Sequence, residues 1–270
     1  MKYEDRLVAF LDILDFKGMI NGTVDKDDAD VPDRIAAIEA AYEAIHRNWD
    51  SDKPHTSKRV TIFSDSIVIS VRSDEPSELF WTILEIKHLI MALISHGILV
   101  RGALVRGKLL HDEKRVFGPA LVEAYLLESK AALYPRIILD RELTNLAKTA
   151  RSTHHSPADE QRYVRSLLEH DSDGMLYVDY FSKAAGELDD PAYDFPVYIE
   201  RLAHIIRKGL QGSTHRSRAD IRVKYFWMRE RYNKMVDEVQ RPLSDKYGQD
   251  DEPTELDSVY LSLKKIGRTT

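Results

Sequence analysis

Apolar positions along the chain follow two rhythms. Residues 5–14 (DRLVAFLDIL) form a continuous apolar run, the pattern of a strand buried on both faces. Residues 34–49 (RIAAIEAAYEAIHRNW) carry apolar side chains at helical spacing behind Pro32, which suits a helix start. Between them, Asn21-Gly22 and the acidic DKDDAD stretch predict a loop, as does SDKPHTSK (51–58) further on. RVTIF and IVISV flank Ser64-Asp65-Ser66, which predicts two strands joined by a very tight hairpin. A helix opens near Ser73–Ser77, with Pro76, and stops at Gly97. Residues 98–111 (ILVRGALVRGKLLH) read as strand, glycine-punctuated turn, strand. Residues 116–132 read as a helix with Pro119 in its first turn, and RIILD (136–140) as a closing strand.

The predicted order, β-α-β-β-α-β-(β)-α-β, is a split βαβ, ferredoxin-like α+β layout over residues 1–145, with helices packed on an antiparallel-containing sheet. Residues 146–270 read as a C-terminal extension. ELTNLAKTARSTHHSPADEQ (142–161) predicts a polar helix leading into a mobile loop, and MLYVDYF (175–181) a strand. Residues 197–210 and 221–239 are amphipathic helices, the second carrying Tyr225, Trp227, Met228, Tyr232 and Met235 as packing residues. DKYGQDDEPTELD (245–257) predicts a flexible acidic tail.

Composition narrows the partners. A formal charge of −6 over 270 residues argues against a broad nucleic-acid-binding surface. The absence of cysteine excludes disulfides and zinc–thiolate sites. LFWTILEIKHLIMALI (79–94) is too short, and with Glu85, Lys87 and His88 too charged, to span a bilayer. With no signal peptide evident, the expectation is a soluble cytoplasmic protein with no membrane or nucleic-acid partner.

The unusual feature is acid inside apolar strands: Asp12 and Asp15 in FLDILDF, Asp65 in IFSDSIV. A lone ionised carboxylate in a core costs several kcal/mol unless it is paired or binds a cation. In a split βαβ sheet the first strand neighbours the following hairpin, so Asp12 and Asp65 converge, and a hard divalent cation, Mg²⁺ or Mn²⁺, would relieve their repulsion. The alternative reading makes Asp65 a turn former and Asp12 a cap on neighbouring backbone. Arg101 and Arg106 lie beside Gly102 and Gly107, and Lys114 and Arg115 precede a helix start at Gly118-Pro119. Carboxylates for metal and arginines for phosphate suit a nucleoside triphosphate.

FLDILDF (10–16), RVTIFSDSIVIS (59–70), RGALVRGKL (101–109) and VFGPALVEAYLLES (116–129) resemble, in order and spacing, the class III nucleotide cyclase catalytic domain. Within it the chain is most similar to the pyrimidine nucleotide cyclases of bacterial Pycsar anti-phage defence. The resemblance implies a homodimer with composite active sites and two metal ions per site held by Asp12, Asp65 and the Ile13 carbonyl. It also implies a cyclic nucleotide product read by a separate effector. Asp15 falls where relatives carry glycine, and no ligand role is transferred to it.

Departures from the purine cyclases bear on the base. Their base-reading lysine corresponds to Thr61 and their second base-reading position to Arg115, which implies a pyrimidine, with UTP favoured over CTP. Tyr42 or Glu39 on the first helix are the candidates to accept from a cytosine amino group. The ribose- and phosphate-contacting Asn and Arg of the purine enzymes correspond to Val122 and Leu126, so Tyr125, Arg101 or Arg106 substitutes, or the protein is inactive. The expected function is therefore a uridylate cyclase making 3′,5′-cyclic UMP in anti-phage defence. The alternatives are a cytidylate cyclase, an inactive nucleotide-binding module, or a phosphatase with a strand-end aspartate nucleophile. Leu14, where that last chemistry wants a second Asp, argues against it.

Overall fold

A computed structural model describes residues 2–49, 57–149, 152, 155–247 and 252–268. Most of the SDKPHTSK segment lies outside them. The fold is α+β with one mixed sheet. In order the elements are β1 (Glu4–Ile13), α1 (Phe16–Asn21), α2 (Pro32–Trp49), β2 (Arg59–Phe63), β3 (Ser66–Arg72), α3 (Glu78–Ser95), β4 (Val100–His111), β5 (Val116–Phe117) and α4 (Pro119–Ala131). There follow β6 (Ile137–Leu139), a 3-10 helical segment (Arg141–Thr149), α5 (Pro157–Ser166), β7 (Leu168–His170) and β8 (Leu176–Val178). Two compact units emerge, Met1–Val178 and Asp179–Thr270.

In the first unit the sheet runs β2-β3-β1-β4-β6-β8-β7, with β5 paired to β4 alone. Its β2-β3-β1-β4 portion is antiparallel throughout, the split βαβ arrangement expected from the sequence. Residues paired directly across antiparallel strands share a face. Leu7, Ala9, Leu11 and Ile13 are buried on one face of β1. Val8 and Phe10 lie on the other, packed with Val68, Val105, Ala120 and Ala124 under α4.

Several expectations change. RGALVRG is no turn: β4 is a single strand through both glycines. Gly102 serves close approach, since a Cβ there would meet the Phe10 carbonyl oxygen at 2.4 Å. The helix expected over 116–132 starts at Pro119, because Val116–Phe117 turn back on β4. Its first-turn neighbour Gly118 has φ 152° and lies against Lys108 backbone, again where no side chain fits. The unexpected α1 begins after Asp15, whose φ of 59° is the left-handed conformation that aspartate tolerates.

The compact unit ends at Val178 rather than at the expected 145, because β8 pairs with β6 and β7 with β8. Arg136, fully buried, ties this extension to β6 by donating to Asp171 and Asp173. Its hydrogen bond to Asp173, more than its charge, holds that carboxyl below the usual carboxylate range. MLYVDYF is strand only over Leu176–Val178. In the second unit α6 (Pro191–Gly212) packs against α7 (Ala219–Lys246). Trp227, Met228, Tyr232 and Met235 are buried, with Trp227 edge-on to Phe181. The acidic tail is ordered where described: α8 (Glu255–Ser262) is held by the Gln240 amide, which donates to the carbonyls of Tyr260, Leu261 and Leu263. Among the described residues no helix is long and apolar enough to cross a membrane.

Candidate active site

Strand pairing assembles the acids. Asp12 sits near the end of β1, opposite Ser66 on β3 and Arg101 on β4. The two-residue connection Ser64-Asp65 closes the β2–β3 hairpin, with Ser64 left-handed at φ 56°. The Ile13 amide donates to the Asp65 carbonyl at 2.8 Å, which docks the hairpin tip against the end of β1. The Tyr42 hydroxyl, from α2, donates to the Ser64 carbonyl at 2.8 Å. Partial burial and then the Asp65 charge push that phenol above its ordinary value. Asp12, Ile13, Asp65, Tyr42 and Arg101 are therefore brought together at one end of the sheet.

Arg101 does more than face phosphate. Its Nε donates to Asp12 Oδ2 at 3.0 Å and lies 2.8 Å from Glu128 Oε1. The Glu128 side chain, 3% exposed, is a member of the site that the sequence reading missed. A signal for it existed: Ala120, Ala124 and Glu128 form one buried stripe on α4 at four-residue spacing, and a glutamate on such a stripe requires a cationic partner.

Arg106 does not belong here. It is five residues past Arg101 on an unbroken strand, so it points to the other face, about 17 Å further along. There it makes a two-pronged pair with Asp5, at 3.1 and 2.9 Å, and lines a cavity of about 310 Å³ with Leu7, Glu78 and Glu160. The supposed glycine turn had concealed the change of face. Arg115 lies in the β4–β5 turn, exposed and paired with Asp112 at 2.7 Å. Asp112 also accepts from the Lys114 and Arg115 amides. Tyr125 is half exposed on α4, its ring edge-on to Phe10 at 5.5 Å between centroids. Val122 and Leu126 beside it are also exposed, as is Phe63 next to the hairpin tip.

Thr61 shares the Asp12 face and opens a buried polar chain, another feature missed in sequence. Its hydroxyl oxygen is 2.9 Å from His111 Nε2; His111 Nδ1 is 2.8 Å from Ser70 Oγ; and Arg6 Nε donates to that oxygen at 2.9 Å. Burial, then the charges of Arg6 and Arg59, pull the imidazole down to about 4, so it is neutral at physiological pH.

Among the described residues no cluster of three or more His, Cys, Asp or Glu side chains is placed to hold a metal ion. What this end of the sheet offers is the Asp12 carboxylate, paired with Arg101, the hairpin-tip Asp65 and nearby backbone carbonyls, all hard oxygen donors of the type Mg²⁺ or Mn²⁺ takes.

No protein-family profile matches the sequence, and no curated protein matches it significantly. Among solved structures, the chain is similar to a bacterial light-regulated adenylyl cyclase, with 9% identity and a TM-score of 0.37 over 61% of this chain and 57% of that one. It is also similar to the adenylyl cyclase CyaB from P. aeruginosa, with 10% identity and a TM-score of 0.43 over 66% of this chain and 95% of that one. A third similarity is to the monomeric guanylyl cyclase domain of the RhoGC fusion protein from the aquatic fungus Blastocladiella emersonii, with 16% identity and a TM-score of 0.37 over 66% and 95%. The chain thus spans little more than half of the first of these. All three likenesses are distant in sequence and superposition, so the chemistry of the site stands on its own residues.

Proposed function

We propose that this protein is a metal-dependent nucleotide cyclase acting on a pyrimidine nucleoside triphosphate, UTP ahead of CTP, to give the 3′,5′-cyclic monophosphate and pyrophosphate. The observation that supports this reading is the docking of the Asp65 hairpin tip on the end of β1, one residue from Asp12, whose carboxylate accepts from Arg101. The ribose 3′-oxygen attacks the α-phosphorus in line; one P–O bond forms there, the bond to the β-phosphate oxygen breaks, and the hydroxyl proton passes to solvent. Positioning and charge neutralisation dominate such a displacement. Asp12, Asp65 and the Ile13 carbonyl would hold the divalent ions, which when bound supply Lewis acidity toward the hydroxyl and the triphosphate oxygens. Arg101 fixes the Asp12 carboxylate, Glu128 anchors Arg101, and Tyr42 steadies the hairpin tip.

Thr61 and Arg115 are the base-reading candidates, with Tyr125 toward the ribose. Arg115 lies beyond the far end of β4 from Arg101, which suits a homodimer in which each copy completes the other's site. Exposed Phe63, Val122, Tyr125 and Leu126 supply apolar surface for that pairing. The role as a defence signal read by an effector follows from the sequence resemblance alone. A second reading, an inactive nucleotide-binding module, is favoured by the apolar Val122 and Leu126 where purine cyclases place polar contacts.

The deciding assay incubates purified protein with each ribonucleoside triphosphate and Mn²⁺ and resolves products by chromatography. Cyclic monophosphate plus pyrophosphate is expected, lost by at least about a hundredfold in Asp12→Asn and Asp65→Asn with circular dichroism unchanged. Full turnover in either variant rejects the metal assignment. Nucleotide binding without product establishes the module reading.

A further inference from the structure

The polar chain that ends at Thr61 has a direction, and the direction bears on the base. Arginine carries only donors, so Arg6 Nε gives its proton to Ser70 Oγ. Arg6 Nη2 also donates to the Ser70 carbonyl at 3.1 Å. Ser70 is 1% exposed, and a buried hydroxyl needs an acceptor for its own proton. Among the described residues the acceptor in reach is His111 Nδ1, at 2.8 Å. A neutral imidazole that accepts at Nδ1 carries its hydrogen on Nε2. That hydrogen is directed to Thr61 Oγ1 at 2.9 Å. The Thr61 oxygen is thereby an acceptor toward His111, and its own O–H is left to donate outward from the Asp12 face.

We infer that the Arg6–Ser70–His111 chain is a polarity lock that presents the Thr61 hydroxyl as a donor, so that the base read there bears a keto oxygen, as uracil does, rather than an amino group, as cytosine does. This rests on the cyclase reading and deepens it. His111 and Ser70 are positioning residues, acting through Thr61. A base offering N–H toward Thr61 meets a donor facing a donor, whereas one offering C=O completes the chain. Burial and the Arg6 charge protect the neutral imidazole on which the direction depends.

The test compares kcat/KM for UTP against CTP, and for GTP against ATP, in the wild type, Thr61→Val, Thr61→Ser and Ser70→Ala. The keto member of each pair is expected to lead by roughly tenfold, the value of one hydrogen bond made or opposed. Thr61→Ser keeps the ratio. Thr61→Val collapses it, because the isosteric methyl removes the donor. Ser70→Ala also collapses it, because the ring is then free to present Nε2 as an acceptor; a purely structural Ser70 would lower both rates and leave the ratio alone. A second measurement needs no turnover: ¹⁵N-detected NMR of the imidazoles, with His111→Phe to assign the signal, is expected to show the Nε2–H tautomer. Cyclic product formed preferentially from CTP and ATP, an unchanged ratio in Thr61→Val, or an Nδ1–H tautomer would each overturn the lock. A wild type that cyclises none of the four triphosphates fails the cyclase reading instead, and the tautomer then decides the lock by itself.

Discussion

Two buried groups in the first unit titrate in opposite senses, and the protein's stability against pH records the contest. Glu78 opens α3 at 9% exposure. Burial first, then the negative charges of Glu75 and Glu85, push its carboxyl from 4.5 up to about 7, against the smaller opposing pull of Lys58 and Arg6. The folded state thus prefers protonated Glu78. Its contribution is complete below pH 4.5 and is lost as pH rises to about 7. His111 runs the other way, from 6.5 down to about 4, so its contribution is complete above pH 6.5 and is lost as pH falls toward 4. Each shift of about two and a half pH units corresponds to about 3 kcal/mol. Between pH 4.5 and 6.5 the two slopes oppose each other and these contributions largely cancel. Single substitutions unmask them. Relative to wild type, Glu78→Gln should gain about 3 kcal/mol between pH 4.5 and 7.5, and His111→Gln should lose a comparable amount between pH 4 and 6.5. Pulse proteolysis in urea measures this, because its fragments report the first compact unit separately from the second. A Glu78→Gln difference constant within about 0.5 kcal/mol from pH 5 to pH 8 would refute the burial argument for that carboxyl.

Gly102→Ala should destabilise the first unit by about 1–3 kcal/mol, since the new methyl overlaps the Phe10 carbonyl and must part β1 from β4; urea denaturation reads the loss. Under the cyclase reading its turnover falls further than stability predicts, because Asp12 and Arg101 straddle the disturbed pairing. Arg106→Ala should cost less than about 1 kcal/mol, its pair with Asp5 being 40% and 39% exposed, and should leave turnover intact; a large loss of kcat would return Arg106 to the active site.

The strand-and-helix order of the split βαβ region was legible because its cues are local. Continuous apolar runs, a two-residue hairpin and helix-bounding Pro and Gly each act within a few residues of themselves. The docking of the β2–β3 hairpin tip beside the end of β1 was legible too, because that topology leaves the first strand one neighbour on the hairpin side. Glycine misled. Gly102 and Gly107 signal either a turn or a close backbone approach, and only the neighbouring strand distinguishes them; reading a turn left Arg106 grouped with Arg101 as a phosphate candidate. β7 was invisible because its three residues take their order from pairing with β8, and the tail looked disordered because its ordering comes from Gln240 and α7.

What the sequence determined by itself was most of the strands and helices of the split βαβ region and the acids they carry, since propensity, capping and alternation act along the chain. Tertiary structure alone decided which charges those acids meet. Arg101 is shared between Asp12 and Glu128, and the direction of Thr61's hydroxyl is set by residues up to 55 positions away. Proton direction and ion pairing depend on distances of about 3 Å between strands remote in sequence, and residue order does not specify those distances until the sheet has closed.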